Sequence, residues 1–204
     1  MQNQAEGEFL PIMEHFYTIQ GEGFHSGKAS YFIRIGGCDV GCHWCDVKES
    51  WDPKAHPLLP VDSIVDIATA HSKWIVLTGG EPTMWNLHYL TQKLKAQNCT
   101  VCMETSGAYP ILGEIDWVCL SPKKNQLPIE ENYPKAQELK VIIHNQNDFV
   151  FALQQAEKVS ASCHLFLQPE WSKEKEMTPY IVDFVLKNPQ FKISLQTHKY
   201  LNIP

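Results

Sequence analysis

Apolar residues along this chain fall into short runs separated by amphipathic stretches, a pattern that predicts alternating strands and helices. Ile12–Gln20 and Ala29–Ile35 carry the aromatic and β-branched content of strands. Trp51–Pro60 holds three prolines and reads as loop, and from Pro60 to Ser72 the apolar residues Ile64, Ile67 and Ala68 recur at helical spacing. Trp74–Thr78 is too short for a helix and ends in glycines, so it is expected to be a buried strand. Asn86 is expected to cap a helix running to Asn98, with Leu87, Leu90 and Leu94 on one face. Strands are then expected at Thr100–Glu104, Trp117–Leu120, Leu139–Ile143, His164–Leu167 and Phe191–Thr197. Two helices fall among them, Asp148–Ser160 and one capped by Thr178-Pro179 that reaches Asn188. Such alternation implies an α/β fold with a largely parallel sheet, whose carboxyl-terminal strand ends form the ligand-binding edge. With six to seven strands, few helices and 204 residues the chain is short for a closed eight-fold barrel of about 250 residues, and a partial barrel is expected.

The composition is that of an ordinary globular protein, with 44% hydrophobic and 20% charged residues, so one domain over residues 1–204 with a sizeable core is expected. A net charge of −6 offers no basic field to hold a phosphate backbone, which argues against nucleic-acid binding. Residues 1–11 read as a polar amino-terminal extension without a secretory pattern, and no run approaches the about 18 apolar residues of a membrane span. The expectation is a cytoplasmic protein with reduced thiols. Its seven cysteines, an odd number, do not suggest a disulfide framework.

The chemistry concentrates in Cys38-x3-Cys42-x2-Cys45, three thiols within eight residues. They suit a [4Fe–4S] cluster with one iron left open; the alternative is three clustered packing cysteines. His43 inside the loop either supplies a fourth ligand or points outward. Cys99 and Cys102 form a second C-x2-C, but residues three apart on a strand face opposite ways, so both are taken with Cys119 and Cys163 as packing residues. Other polar groups stand at expected strand ends: Glu22 between Gly21 and Gly23, Arg34 before the cysteines, and Gly79-Gly80-Glu81. Glu22 either meets a ligand or sits in a plain turn, Arg34 pairs with a ligand carboxylate or lies on the surface, and the glycine pair either admits a ligand or merely turns the chain. His198 follows the last strand and is a candidate ligand contact, whereas the remaining histidines, His25 among them, read as surface or satisfied core residues.

The cysteine loop together with Gly79-Gly80-Glu81-Pro82 resembles the radical S-adenosylmethionine superfamily. Gln20-Gly21-Glu22-Gly23, Phe32-Ile33-Arg34, Glu104-Thr105-Ser106-Gly107, Ser121-Pro122-Lys123 and the terminal Gln196-Thr197-His198-Lys199-Tyr200-Leu201-Asn202 narrow the resemblance to the 7-carboxy-7-deazaguanine synthases, from about Ile12 onward. That resemblance implies a homodimeric enzyme of queuosine and 7-deazapurine synthesis. It would convert 6-carboxy-5,6,7,8-tetrahydropterin to 7-carboxy-7-deazaguanine with loss of ammonia, drawing electrons from a donor such as flavodoxin. The resemblance assigns the cluster to Cys38, Cys42 and Cys45, and S-adenosylmethionine to Trp44, Asp46, Gly79, Gly80, Glu81, Gly107, Ser121, Pro122, Lys123 and Gln168. Substrate falls to Ile19, Gln20, Gly21, Glu22, Arg34, Thr105 and His198, with residues 198–204 as a tail over the active site that presents the terminal carboxylate of Pro204. The family places a hydroxyl residue directly after the Cys-Asp pair to bind Mg²⁺; this chain has Val47, which offers no oxygen ligand. A radical activase of a protein partner is the nearest alternative, and a zinc-binding structural module the more distant one. Motifs running to the end of the chain count against the first, and iron with acid-labile sulfide in place of zinc would exclude the second.

Overall fold

The computed structural model describes residues 7–204, so residues 1–6 of the expected extension lie outside it. Nine strands form one sheet in the order β3-β1-β2-β4-β5-β6-β7-β8-β9. From β2 (Ala29–Ile35) through β4 (Trp74–Gly79), β5 (Thr100–Thr105), β6 (Trp117–Leu120), β7 (Glu138–Ile143), β8 (His164–Pro169) and β9 (Phe191–Ile193), every neighbouring pair is parallel. β1 (Phe9–Ile19) adds antiparallel to β2, and the short β3 (Leu58–Pro60) adds antiparallel to β1. The end strands β3 and β9 do not pair, so the sheet stays open as expected of a partial barrel.

The parallel strands are buried on both faces, which is why they read as near-continuous apolar runs. One face carries the odd positions: Ile33, Ile35, Ile75, Leu77, Val101 and Met103 pack with helices α1 (Val61–His71) and α2 (His88–Ala96). Farther along, Leu139, Val141, Ile143 and Leu167 pack with α3 (Asn147–Ala156) and α4 (Glu174–Lys187). The even positions of β2, β4 and β5 face the other way, where Phe32, Val76 and Cys102 form an apolar layer with Phe16, Trp74 and, from β6 where the register shifts the parity by one, Trp117. Farther along, that inner face mixes Glu104, Lys140 and Gln168 with apolar Cys119, Ile142 and Phe166, and it leads to the functional end of the sheet.

Several elements depart from the pattern-based expectation. Residues 9–11 are not extension: Phe9, Leu10 and Pro11 pair with Pro60, Leu59 and Leu58, and Leu10 is fully buried. Trp51–Pro60 is not plain loop: it holds a 3-10 turn, Pro53–Ala55, and the strand β3, and a second 3-10 turn, Lys48–Ser50, precedes it. α3 stops at Ala156, short of Ser160. Helix α4 starts at Glu174, before Thr178-Pro179, so Pro179 lies inside the helix in its second turn, where it forgoes one backbone bond, and the Thr178 hydroxyl bonds back to the Glu174 carbonyl (2.6 Å). The last strand ends at Ile193. Thereafter the Thr197 N–H donates to the Gly21 carbonyl (2.9 Å), and Thr197–Leu201 winds into the short helix α5.

Cys99, Cys102, Cys119 and Cys163 are buried. Cys99 belongs to the layer against α1 and α2 and Cys102 to the inner apolar layer, so the second C-x2-C does face two ways. Burial pushes the thiols of Cys102 and Cys163 up to about 12, as befits packing residues. His25 is neither exposed nor satisfied. Its ring packs on Phe24, Trp74 and Trp117, and its Nε2 is buried without a partner.

Candidate active site

The loop after β2 brings the three thiols to the carboxyl-terminal edge of the sheet. Its backbone is tied down on several sides: Gly37 N–H to Ser50 O (2.6 Å), Cys38 N–H to Trp51 O (3.1 Å) and Trp85 Nε1 to Gly36 O (2.9 Å). Gly80 and Glu81, following β4, donate their N–H groups to the carbonyls of Ile35 (3.0 Å) and Gly37 (2.8 Å). This close approach needs glycine, because a Cβ on Gly80 would lie 2.4 Å from the Gly37 carbonyl oxygen. Cys38, Cys42 and Cys45 are half-buried and line one cavity of about 270 Å³.

Three free, half-buried thiols from one loop on the wall of one cavity are a donor set that fits a four-iron cube, which takes each thiolate on a different iron and leaves one iron open. His43 does not complete such a set: it packs against His144 and borders a neighbouring hollow. Burial raises the Cys38 and Cys42 thiols, and the Lys123 ammonium works against that rise at Cys42. Lys123 itself is lowered by burial; it donates to the Ser121 carbonyl (2.8 Å) and hydroxyl (2.6 Å) beside the Trp44 ring.

Glu81 is the knot of the upper site. Only 1% exposed, it accepts on Oε1 from Thr83 N–H (3.0 Å), the Thr83 hydroxyl (2.6 Å) and the Thr105 hydroxyl, and on Oε2 from Ser106 N–H (2.7 Å) and the Ser106 hydroxyl (2.5 Å). Its carboxylate therefore ties the ends of β4 and β5 together, while its N–H holds the cysteine loop through Gly37.

Another part of the cavity wall is charged. Glu22 accepts from Lys140 Nζ and from Gln196 Nε2 (2.8 Å), while Gln20 Nε2 donates to Glu104 Oε1 (2.9 Å). Burial works to raise the Glu22 carboxyl, yet Lys140 overrides it and holds the group well below the usual carboxylate range. Arg34 Nε donates to its cross-strand partner Glu14 (2.7 Å), which orients the guanidinium at the cavity wall. The His198 ring lies against Gly21, where an added Cβ would come within 2.2 Å of Nδ1. Burial lowers the His198 pKa, so the ring is neutral near pH 7. Pro204 also lines the cavity, and its carbonyl accepts from the Thr18 hydroxyl (3.3 Å).

A chain from Flavobacterium psychrophilum named 7-carboxy-7-deazaguanine synthase is 64% identical over 98% of this chain and 95% of its own length. The chain belongs to that family. The synthase of the same name from Synechocystis is 47% identical over 95% of this chain and 93% of the relative. The model of the Radical SAM superfamily matches residues 32–119, from β2 through the end of β6. The crystal structure of QueE from Escherichia coli aligns with a TM-score of 0.83 at 25% identity, covering 92% of this chain and 94% of that one. The chain is thus a radical SAM enzyme, and its open parallel sheet is the partial barrel of that family.

Most residues that the motifs single out meet at this one cavity: the three cysteines, Trp44, Asp46, Gly79, Gly80, Glu81, Ser121, Lys123 and Gln168, and facing them Ile19, Gln20, Gly21, Glu22, Arg34, Thr105, His198 and Pro204. Two do not. Gly107 packs under Leu120 and Pro128, at a φ of +75° that favours glycine, and Pro122 borders the neighbouring hollow instead. Val47 lines the wall with no oxygen on its side chain, and the adjacent Asp46 is paired with Lys199 (3.0 Å). Sequence reading quoted Glu104 and Gln196 within motifs without giving either a role, and missed Lys140 altogether. Its available signal was Glu138-Leu139-Lys140-Val141, where charge alternates with apolar residues inside a parallel strand.

Proposed function

We propose that this chain converts 6-carboxy-5,6,7,8-tetrahydropterin to 7-carboxy-7-deazaguanine with loss of ammonia, in queuosine and 7-deazapurine synthesis. The observation that carries the reading is a single cavity lined both by the three thiols and by Glu22, Arg34 and His198. Cys38, Cys42 and Cys45 would hold the [4Fe–4S] cluster, which together with S-adenosylmethionine supplies one-electron reduction and hydrogen abstraction. The protein's part is placement and exclusion of water. Gly79, Gly80 and the Glu81 backbone form the wall for the methionyl end of the cofactor, and Trp44, Asp46, Ser121, Lys123 and Gln168 the remainder of its site. Gly107 and Pro122 support that wall from behind. Arg34, pre-aimed by Glu14, presents a planar fork to the substrate carboxylate. Glu22, kept ionised, accepts from the N–H edge of the pterin, with Gln20, Thr105, neutral His198 and the Pro204 terminus closing over it.

The reading extends to a cytoplasmic homodimer reduced by a flavodoxin-type donor, with residues 198–204 as the closing tail of one domain. No helix among the described residues is long and apolar enough to cross a membrane. With Val47 in place of a hydroxyl residue, Mg²⁺ is not needed to hold the substrate carboxylate, and Arg34 carries that load. Anaerobic turnover of the carboxy-tetrahydropterin by the reconstituted enzyme tests both points. Omitting Mg²⁺ should change kcat/KM by less than about twofold. Many-fold stimulation by Mg²⁺ would remove the magnesium part of the reading, and absence of turnover the whole.

A further inference from the structure

Lys140 stands on the inner face of β7 and is 4% exposed. A buried ammonium persists only with compensating charge, and here two carboxylates supply it. Its Nζ contacts Glu22 Oε2 and lies 3.9 Å from Glu104 Oε2. Gln20 closes the ring, because its Nε2 donates to Glu104 Oε1 (2.9 Å) while its Oε1 accepts from the Glu22 N–H (3.0 Å). Gln196 braces the far oxygen of Glu22. Three side chains, Lys140, Gln20 and Gln196, thus fix the carboxylates of Glu22 and Glu104 at the floor of the cavity, and all five line it. Two negative charges and one positive leave the floor singly negative. Lys123 keeps its charge but stands at Ser121 and the Trp44 ring, and the ion pairs of Glu22 and Glu104 are made by Lys140 instead. The floor consequently demands hydrogen-bond donors from whatever binds above it.

We propose that Lys140 is the positioning residue for substrate recognition: it clamps Glu22 and Glu104 into one singly negative acceptor pair that reads the N–H-rich edge of the bound heterocycle. The inference rests on the pterin reading above and adds Lys140 and Glu104 to it. Lys140 touches no reacting atom. Without it the two carboxylates repel each other across the same buried floor, and Glu22 loses the charge that holds it ionised.

The test uses the reconstituted holoenzyme with four forms: wild type, Lys140→Met, Glu22→Gln and the double variant. Pterin KM and kcat, S-adenosylmethionine affinity and thermal melting are read for each. Lys140→Met should raise the pterin KM by about 30-fold or more while leaving kcat and cofactor affinity within about threefold. The Glu22→Gln background should abolish most of that effect, so that the double variant is about as impaired as Glu22→Gln alone. A Lys140→Met enzyme with wild-type pterin KM overturns the proposal, as do independent, multiplying losses in the double variant. If Lys140→Met does not fold, the comparison of the double variant with Glu22→Gln decides in the same terms. Wild type that fails to turn over the pterin sinks the underlying reading, whereas wild-type turnover with an unimpaired Lys140→Met sinks this inference alone.

Discussion

Gly80→Ala is expected to fold and yet fail to retain a cluster. The added methyl group would sit 2.4 Å from the Gly37 carbonyl oxygen and 2.8 Å from the Cys38 Cβ, and both belong to the cysteine loop. Backbone at such separation has to move. The loop, which is held to β4 through Gly80 N–H to Ile35 O and Glu81 N–H to Gly37 O, would swing outward and take Cys38 away from its two companions. The sheet beneath does not depend on this contact, since Ile35, Ile75 and Leu77 are packed against α1 and α2. Iron and acid-labile sulfide after anaerobic reconstitution, read beside a melting curve, check the expectation: iron near zero with melting within a few degrees of wild type. Full iron content in the variant would show that the loop yields without losing its ligand geometry.

Glu81→Ala should act through stability as much as through the cofactor. Removing this carboxylate leaves the Thr83 N–H, the Ser106 N–H and the hydroxyls of Thr83, Thr105 and Ser106 to find new partners in a buried site. Each buried donor left unmade costs about 1–3 kcal/mol, and some re-pair locally, so a total near 4 kcal/mol is expected. For a chain of this size that is a melting point lower by about 10 °C. Glu81→Gln tests the cause. Its amide can keep one accepting oxygen but must oppose an N–H or hydroxyl donor with its NH₂, so it should recover only part of the loss. Melting of Glu81→Ala at the wild-type temperature would mean that the web is not structural.

The fold was legible in the chain because parallel strands buried on both faces announce themselves as apolar runs. Trp117–Leu120 matches β6 residue for residue, and the turn motifs after the strands meet on one edge. What escaped reading depended on neighbours distant in sequence. Phe191, Ile193 and Leu195 alternate like a strand, but the Ser194 hydroxyl is taken up by Gln168 (2.7 Å) and Gly23 (2.9 Å), and the chain leaves the sheet to cross Gly21. Glu81 follows a glycine pair as a cofactor-binding residue would, and only the register that sets Leu77 beside Met103 shows that the Thr105 and Ser106 donors reach its carboxylate. Glu104 and Lys140 sit within strands, where charge counts as noise until the inner face of the sheet is seen to mix polar with apolar groups. Val47 ran the other way: its departure from the family pattern was visible in the sequence, and the structure places its side chain, which has no oxygen, on the cavity wall beside Asp46.

The central claim, that one cavity joins a three-thiolate cluster to a pterin-reading floor, is tested most directly by product analysis. Reconstituted protein is incubated anaerobically with 6-carboxy-5,6,7,8-tetrahydropterin, S-adenosylmethionine and a reductant, and products are identified by mass. The account requires 7-carboxy-7-deazaguanine, with ammonia and 5′-deoxyadenosine. Formation of 5′-deoxyadenosine with no deazaguanine would contradict it, leaving a radical SAM enzyme whose floor reads a different molecule.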